Sequence, residues 1–166
     1  MDQKPVFNGV FQVGLVVKDC MGTLKKYNDE YGIGPWNIYE MGPDSVTDMI
    51  IRDKPETYAM RAAVAMVGDV MIELIEPLDD KSIYAEFLKE HGDGIHHILF
   101  NVDDPDKTVD FFKGKGIGTL QGGNNGAITY TYFDTMKDLG LIAEILKETG
   151  DGEVVGEPDD VYPKPE

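Results

Sequence analysis

The sequence is poor in cysteine, in positive charge and in long apolar runs. Cys20 is the single cysteine, which excludes a disulfide framework and a zinc ribbon or finger. Lys and Arg number 15 against 31 Asp and Glu, giving a formal net charge of −16. A chain this acidic lacks the basic stripe that nucleic acid or anionic lipid requires. No apolar run approaches the roughly 18 residues of a membrane span, and no signal segment is recognisable, so a cytoplasmic location is expected.

Hydrophobic residues are plentiful, and they argue for a folded chain. They make up 42% of the 166 residues, and aromatic residues make up 10%. This is too many for an acidic disordered protein. The length suits one domain, or two half-domains that share a core.

The chain contains an internal repeat. The segment around Gln12 matches the segment around His97, which lies 85 positions later. Further along each half, residues 71–75 match residues 142–146, so that Glu73 falls on Glu144. Two correspondences in the same order indicate two copies of one module, at about 8–77 and 95–147.

Each copy has the pattern of a strand, a helix and three further strands. Apolar, β-branched runs at 11–17 and 96–102 predict the first strands. Helical periodicity follows each of them, and Asp104 with Pro105 is a typical helix start. The pattern predicts an α+β protein built of paired βαβββ modules. We also expect a linking helix at 82–91 and an acidic C-terminal tail at 148–166.

Four polar side chains occupy equivalent strand positions. Strand alternation turns Gln12 and His97 away from the helix-covered face of their strands. Glu73 and Glu144 stand between apolar neighbours, and they also point off that face. If a pseudo-twofold axis relates the modules, the four side chains converge.

Convergence would bury two carboxylates without a cationic side chain. No Lys or Arg occurs within 11–17, 71–76, 96–102 or 141–146. Buried carboxylates are costly unless they are paired or bound to a cation. A divalent metal accounts most economically for two glutamates, a histidine and an amide. The donors suit Mg, Mn, Co, Ni or Zn with positions left open for water or substrate.

These motifs resemble the vicinal oxygen chelate superfamily. The resemblance rests on GIHHI at 94–98, IELIEP at 72–77 and AEI at 143–145, and covers about 8–147. That superfamily includes glyoxalase I, methylmalonyl-CoA epimerase, extradiol dioxygenases and bleomycin-resistance proteins. The stretch from Glu73 to Asp104 is most similar to the epimerases. The resemblance implies a single domain with a curved, partly closed mixed sheet, and metal ligands at Gln12, Glu73, His97 and Glu144.

The resemblance also implies a reaction. A metal beside a glutamate suits proton removal next to a carbonyl, with Glu144 as first choice of base and Glu73 as second. The substrate would be a small carbonyl compound or an acyl-CoA, and a homodimer is expected. Gln12 replaces the usual first-strand His, and the strand at 61–67 lacks the further acid of some epimerases. A glyoxalase-type lyase and a non-catalytic binding protein therefore remain as alternatives.

Overall fold

The computed structural model describes residues 6–150 and 156–165. Strands and helices alternate along the chain much as the repeat predicts. The first half, up to the linking helix, holds β1 (Gly9–Val16), α1 (Cys20–Tyr31), β2 (Trp36–Met41), β3 (Thr47–Ile51), β4 (Lys54–Pro55), β5 (Met60–Val67), β6 (Val70–Pro77) and α2 (Ile83–His91). The second half holds β7 (Gly94–Asn101), α3 (Pro105–Gly114), β8 (Thr119–Asn124), β9 (Ile128–Phe133), α4 (Met136–Leu139), β10 (Ile142–Glu148) and β11 (Asp160–Tyr162).

The described strands form one mixed sheet. Its order is β11-β2-β5-β6-β1-β7-β10-β9-β8-β3-β4, and it is not closed into a barrel. Strand β1 pairs with β6 in parallel and β7 pairs with β10 in parallel, while β1 and β7 join the modules in antiparallel. The predicted α+β fold of paired βαβββ modules is confirmed.

The register at the seam obeys a twofold relation. Equivalent residues of the two modules exchange partners across β1 and β7, through the pairs Gln12↔Leu99, Val13↔Ile98 and Gly14↔His97. The axis therefore passes by the pair of Val13 and Ile98. The outer neighbours obey the same relation, because Gly14 pairs with Glu73 on β6 as Leu99 pairs with Glu144 on β10.

The helices α1 and α3 each pack against one face of the strands of their own module. Each begins at an aspartate whose side chain accepts a hydrogen bond from the first turn: Asp19 from the Gly22 amide, and Asp104 from the Lys107 amide. Beneath α1, the fully buried Leu74 packs in a cluster that includes Leu24. The apolar neighbours of the two repeat glutamates thus face the helices, which leaves the glutamates on the other face.

Two connections depart from the strict repeat. Strand β3 of the first module pairs with β8 of the second, and β4 pairs with β3 at the edge of the sheet. Arg52 binds Glu86 of α2 through two hydrogen bonds of 2.9 and 2.6 Å. Near the C-terminus, β11 adds to the first module beside β2. Residues 151–155 and 166 of the predicted acidic tail lie outside the described residues. In the part of the chain described, no helix is long and apolar enough to cross a membrane.

The packing under α1 predicts a large difference between two substitutions in the same module. Leu74→Ala should lower the free energy of unfolding by about 2–5 kcal/mol, because it opens a cavity between β6 and α1. Val67→Ala should change that free energy by no more than about 0.5 kcal/mol, because Val67 is 47% exposed at the end of β5. Urea denaturation of both variants measures the difference. Equal losses would mean that α1 does not pack on Leu74.

Candidate functional site

His97 stands at the centre of the sheet with two carboxylates against its ring. It lies on β7 and is completely buried. Its Nε2 atom is 3.2 Å from Oε2 of Glu73 and 3.3 Å from Oε2 of Glu144. One carboxylate comes from each module, so three of the four residues singled out in the sequence meet at the seam.

Gln12 lies beside the same carboxylates. It is 7% exposed, and it lines one cavity together with Glu73 and Glu144. The twofold register explains this position, because Gln12 is two residues from Gly14, the partner of His97. The structure thus brings all four predicted residues to one place.

The residue of β1 that pairs with His97, Gly14, has to be glycine. A Cβ atom built on Gly14 would overlap the imidazole ring of His97. The equivalent residue in the second module is Leu99. The missing side chain therefore makes the site asymmetric and lets the ring of His97 lie across β1.

Two buried atoms of this group have no hydrogen-bond partner in the described structure. They are Nε2 of His97 and Oε2 of Glu144, which face each other. Two ligands at about 2.0–2.2 Å from one divalent ion stand about 3 Å apart when they are adjacent in its shell. The observed separations and the mixture of oxygen and nitrogen donors therefore fit a divalent cation.

In this structure the same side chains do not form a complete metal site. Across residues 6–150 and 156–165, no group of three or more His, Cys, Asp or Glu side chains has the arrangement needed to hold a metal ion. The carboxylates instead contact the imidazole directly. A fourth protein donor, the amide oxygen of Gln12, is available in the same cavity.

Burial and mutual charge shift the protonation equilibria at this centre. Burial raises the pKa of Glu144 to about 8; the imidazole of His97 opposes the shift and the carboxylate of Glu73 adds to it. For His97, burial would lower the pKa, but the two carboxylates outweigh it and raise the pKa. The protonation state of Glu144 and that of His97 therefore depend on each other and on the charge of Glu73.

His96 supports the ring of His97 from behind. It faces a helix: its ring packs against Tyr84 and Phe87 of α2. Its Nδ1 atom is 3.0 Å from Nδ1 of His97, so one ring nitrogen donates and the other accepts. Burial and the nearby charge of His97 lower the pKa of His96 well below its usual value. This favours a neutral His96 that helps to fix the orientation of His97.

The cavity over these residues is small and mainly apolar. Its volume is about 110 Å³. Both modules supply its walls, through Phe11, Tyr39, Val64, Ile128, Tyr130 and Leu146. Sequence reasoning named none of these six residues as site residues. Strand alternation places Phe11 on the helix-covered face, but an irregularity of register between Val10 and Gln12 turns it into the cavity.

The sequence profile of the Glyoxalase/Bleomycin resistance protein/Dioxygenase superfamily matches residues 11–133. Among curated proteins, 4-hydroxyphenylpyruvate dioxygenase of Legionella pneumophila (strain Corby) is 35% identical over 89 residues, 53% of this chain and 24% of that protein. Hemolysin VllY of Vibrio vulnificus (strain CMCP6) is 40% identical over 58 residues, 34% of this chain and 16% of that protein. The matches thus span a quarter or less of these relatives.

Solved structures with the same fold include methylmalonyl-CoA epimerases. The enzyme from Mycobacterium tuberculosis superposes with a TM-score of 0.65 at 22% identity, covering 90% of this chain and 94% of the other. A variant of the Streptomyces coelicolor enzyme in complex with 2-nitronate-propionyl-CoA gives a TM-score of 0.62 at 19% identity, covering 87% and 99%. At these identities the likeness establishes the fold.

The close approach of His97 to β1 predicts a specific sensitivity at Gly14. Gly14→Ala should displace the imidazole ring and lower the free energy of unfolding by about 1–3 kcal/mol, because the new methyl group overpacks the seam. Gly94→Ala, on the partner strand, is the matched control, since its Cβ would lie 3.8 Å from Phe87 in ordinary contact. Urea denaturation measures the loss, and imidazole NMR signals report the position of the ring. An unchanged His97 environment in Gly14→Ala would contradict the described contact.

Proposed function

Because the chain belongs to the glyoxalase/bleomycin resistance protein/dioxygenase superfamily, we propose that it is a metal-dependent enzyme that moves a proton on the carbon next to a carbonyl. The observation that carries this proposal is the meeting of Glu73, His97 and Glu144 in one buried centre at the wall of a small cavity. Perturbed, converging titratable groups in a cavity are typical of active sites.

A divalent cation would be held by Gln12, Glu73, His97 and Glu144. When bound, it would supply Lewis-acid stabilisation for negative charge that develops on a carbonyl oxygen. The two orphaned atoms, Nε2 of His97 and Oε2 of Glu144, are the support for this assignment. His96 would hold the imidazole in the orientation that points Nε2 at the centre.

Glu144 is the proposed base. Its carboxylate is 4% exposed and lines the cavity, and its Oε2 atom has no hydrogen-bond donor to satisfy it. A carboxylate in this position can take the proton from a substrate carbon and return it. Glu73 is the second candidate, because it occupies the equivalent position across the twofold axis. Apolar walls around both limit the access of water, which strengthens their electrostatic interaction with substrate.

Epimerisation of a methylmalonyl-CoA-like substrate is the first proposed reaction. It is supported by the motifs GIHHI and IELIEP and by the epimerase structures that share the fold. In this reaction the proton leaves one face of the carbon and returns to either face. The substrate would place its carbonyl oxygen toward the four donors and its remaining body along the apolar walls.

A glyoxalase-type proton shift is the second candidate, and one observation favours it. The strand that would carry a further acid, β5, presents Ala62 and Val64 to the cavity. A second acid is therefore missing from that wall, as the sequence indicated. A 1,2-shift, in which a single carboxylate moves the proton between adjacent carbons, needs no such group.

Activation of oxygen is less well supported by the residues. The dioxygenase pattern uses two histidines and one carboxylate, whereas Gln12 occupies the first-strand position here. The matched segment covers 24% of the 4-hydroxyphenylpyruvate dioxygenase, so that activity is not carried over.

The first prediction from this proposal concerns the metal. The purified chain should bind one divalent cation, and His97→Ala should weaken binding by at least about tenfold, because it removes the central imidazole. His91→Ala should leave binding unchanged, because the side chain of His91 is 57% exposed on α2. Calorimetric titration of the metal-free protein with Mn, Co, Ni and Zn measures both. The absence of stoichiometric binding to any of them would favour the non-catalytic alternative.

The second prediction concerns proton transfer. In deuterated water the metal-loaded protein should exchange the C2 proton of methylmalonyl-CoA, or the corresponding proton of the methylglyoxal–glutathione adduct. Glu144→Gln should reduce the exchange rate by about 10²–10⁴-fold, because an amide cannot accept the proton. Glu90→Gln, an exposed position on α2, is the control. NMR measures the exchange with each compound separately, and full exchange in Glu144→Gln would exclude Glu144 as the base.

A further inference from the structure

The cavity lined by Gln12, Glu73 and Glu144 has no positively charged wall: among the described residues, neither Lys nor Arg lines it. The polar residues that do line it are acidic or neutral: Gln12, Glu73, Asn125 and Glu144, with the hydroxyl-bearing Tyr39 and Tyr130. Recognition of phosphate ordinarily uses Arg or Lys side chains, or amides at a helix N-terminus.

The two arginines of the chain are already engaged by carboxylates elsewhere. Arg52 forms its paired hydrogen bonds with Glu86 on α2. Arg61 is on β5, but its guanidinium bonds to Glu40 at 2.6 Å and to Glu76 at 3.3 Å. Each arginine is thus held by a negative partner, and neither is among the residues that line the cavity.

The rim of the cavity adds negative charge. Gly156 lines the cavity, and the exposed Glu157 follows it directly. A second cavity of about 240 Å³ shares the wall formed by Phe11, Ile128 and Leu146, and Glu148 lines it. Among the described residues this second cavity also lacks Lys and Arg. An approaching polyanion would therefore meet like charge on a chain whose net charge is already −16.

The size of the site points the same way. The volume of about 110 Å³ is smaller than the range of roughly 300–1,000 Å³ that is usual for drug-sized ligands. Its walls are mostly aliphatic and aromatic. The favourable free energy available here comes from burying an apolar group of a few carbons.

We propose that the substrate of this site is a small, phosphate-free carbonyl compound with an apolar side group, and that the protein does not recognise a coenzyme A moiety. The carbonyl group of this substrate is inferred from the proposed function, on which the inference rests. Its small size, its apolar side group and its lack of phosphate are inferred from the cavity. It narrows that function: proton transfer next to a carbonyl is retained, and the CoA ester named above as a candidate substrate is replaced by a small carbonyl compound without phosphate groups.

The test compares two thioesters that share one reacting head. Propionyl-CoA and S-propionyl-N-acetylcysteamine carry the same acyl thioester, and only the first carries phosphate groups. Binding of each to the metal-loaded full chain is measured by calorimetry or ligand-observed NMR at about 10 mM and about 150 mM salt. The short thioester should bind at least as tightly as propionyl-CoA at low salt. Added salt should strengthen binding of the CoA ester, because screening weakens like-charge repulsion, and should leave the short thioester unaffected.

Two results would overturn the proposal. One is binding of propionyl-CoA about tenfold or more tighter than the short thioester, weakening as salt is added, since this is the signature of phosphate recognition. The other is failure of the short thioester to bind at either salt concentration. Binding is measured without turnover, so the result tests this inference separately from the proposed reaction. If the expected binding pattern is found but no proton exchange occurs, the proposed reaction is rejected and the proposed class of substrate stands.

A charge-reversal variant tests the rim directly. Glu157→Lys should strengthen binding of propionyl-CoA by about threefold or more at low salt, and should leave the short thioester unchanged. Glu90→Lys makes the same change of net charge on α2, away from the cavity, and should have a smaller effect on the CoA ester. An equal response to both variants would show that only net charge matters, and would contradict a role for the rim.

Discussion

The central constraint of this structure is the confinement of two carboxylates around one imidazole at the seam of the sheet. Glu73, His97 and Glu144 lie within 3.3 Å contacts, and no lysine or arginine occurs within 71–76, 96–102 or 141–146. Such an arrangement loses the hydration of its charges, and the remaining compensation is a raised pKa, a protonated imidazole or a bound cation. The pKa of Glu144, raised by burial, and the pKa of His97, raised by the two carboxylates, are both shifted in the direction of the first two. A bound cation would act at Nε2 of His97 and Oε2 of Glu144, two buried atoms without a hydrogen-bond partner in the described structure.

The twofold frame explains how distant residues arrive at this point. The seam pairs Val13 with Ile98, which are equivalent residues of the two modules. A residue of one module therefore has its equivalent at the symmetry-related place in the other. The frame is symmetric, but the side chains on it are not. Gly14 stands where its counterpart is Leu99, which gives the ring of His97 the room to cross the axis. A single centre, rather than two half-centres, follows from that one absent side chain.

Sequence pattern predicted the repeat, the helices and the fold, because these depend on local periodicity and on capping residues such as Asp104. It also placed the four polar residues on the correct face, which strand alternation determines. It did not predict the hairpin at Thr47–Ile51 and Lys54–Pro55, since these strands are short and β8, the outer partner of Thr47–Ile51, is remote in sequence. The place of Phe11 in the wall of the cavity could not be predicted either, because an irregularity in register breaks the strand alternation next to it.

The walls of the cavity carry information that the four central residues do not. The four central residues bear on the type of reaction, and the walls bear on which substrate fits. The fold itself is shared with methylmalonyl-CoA epimerase. Ala62 and Val64 leave one wall without a further acid, and the proposal of a phosphate-free substrate rests on the acidic residues beside the cavity, among them Glu157. None of these residues belongs to the group of Gln12, Glu73, His97 and Glu144 at the centre. Substrate choice in this chain is therefore better read from β2, β5 and the C-terminal segment than from the residues that would hold a metal.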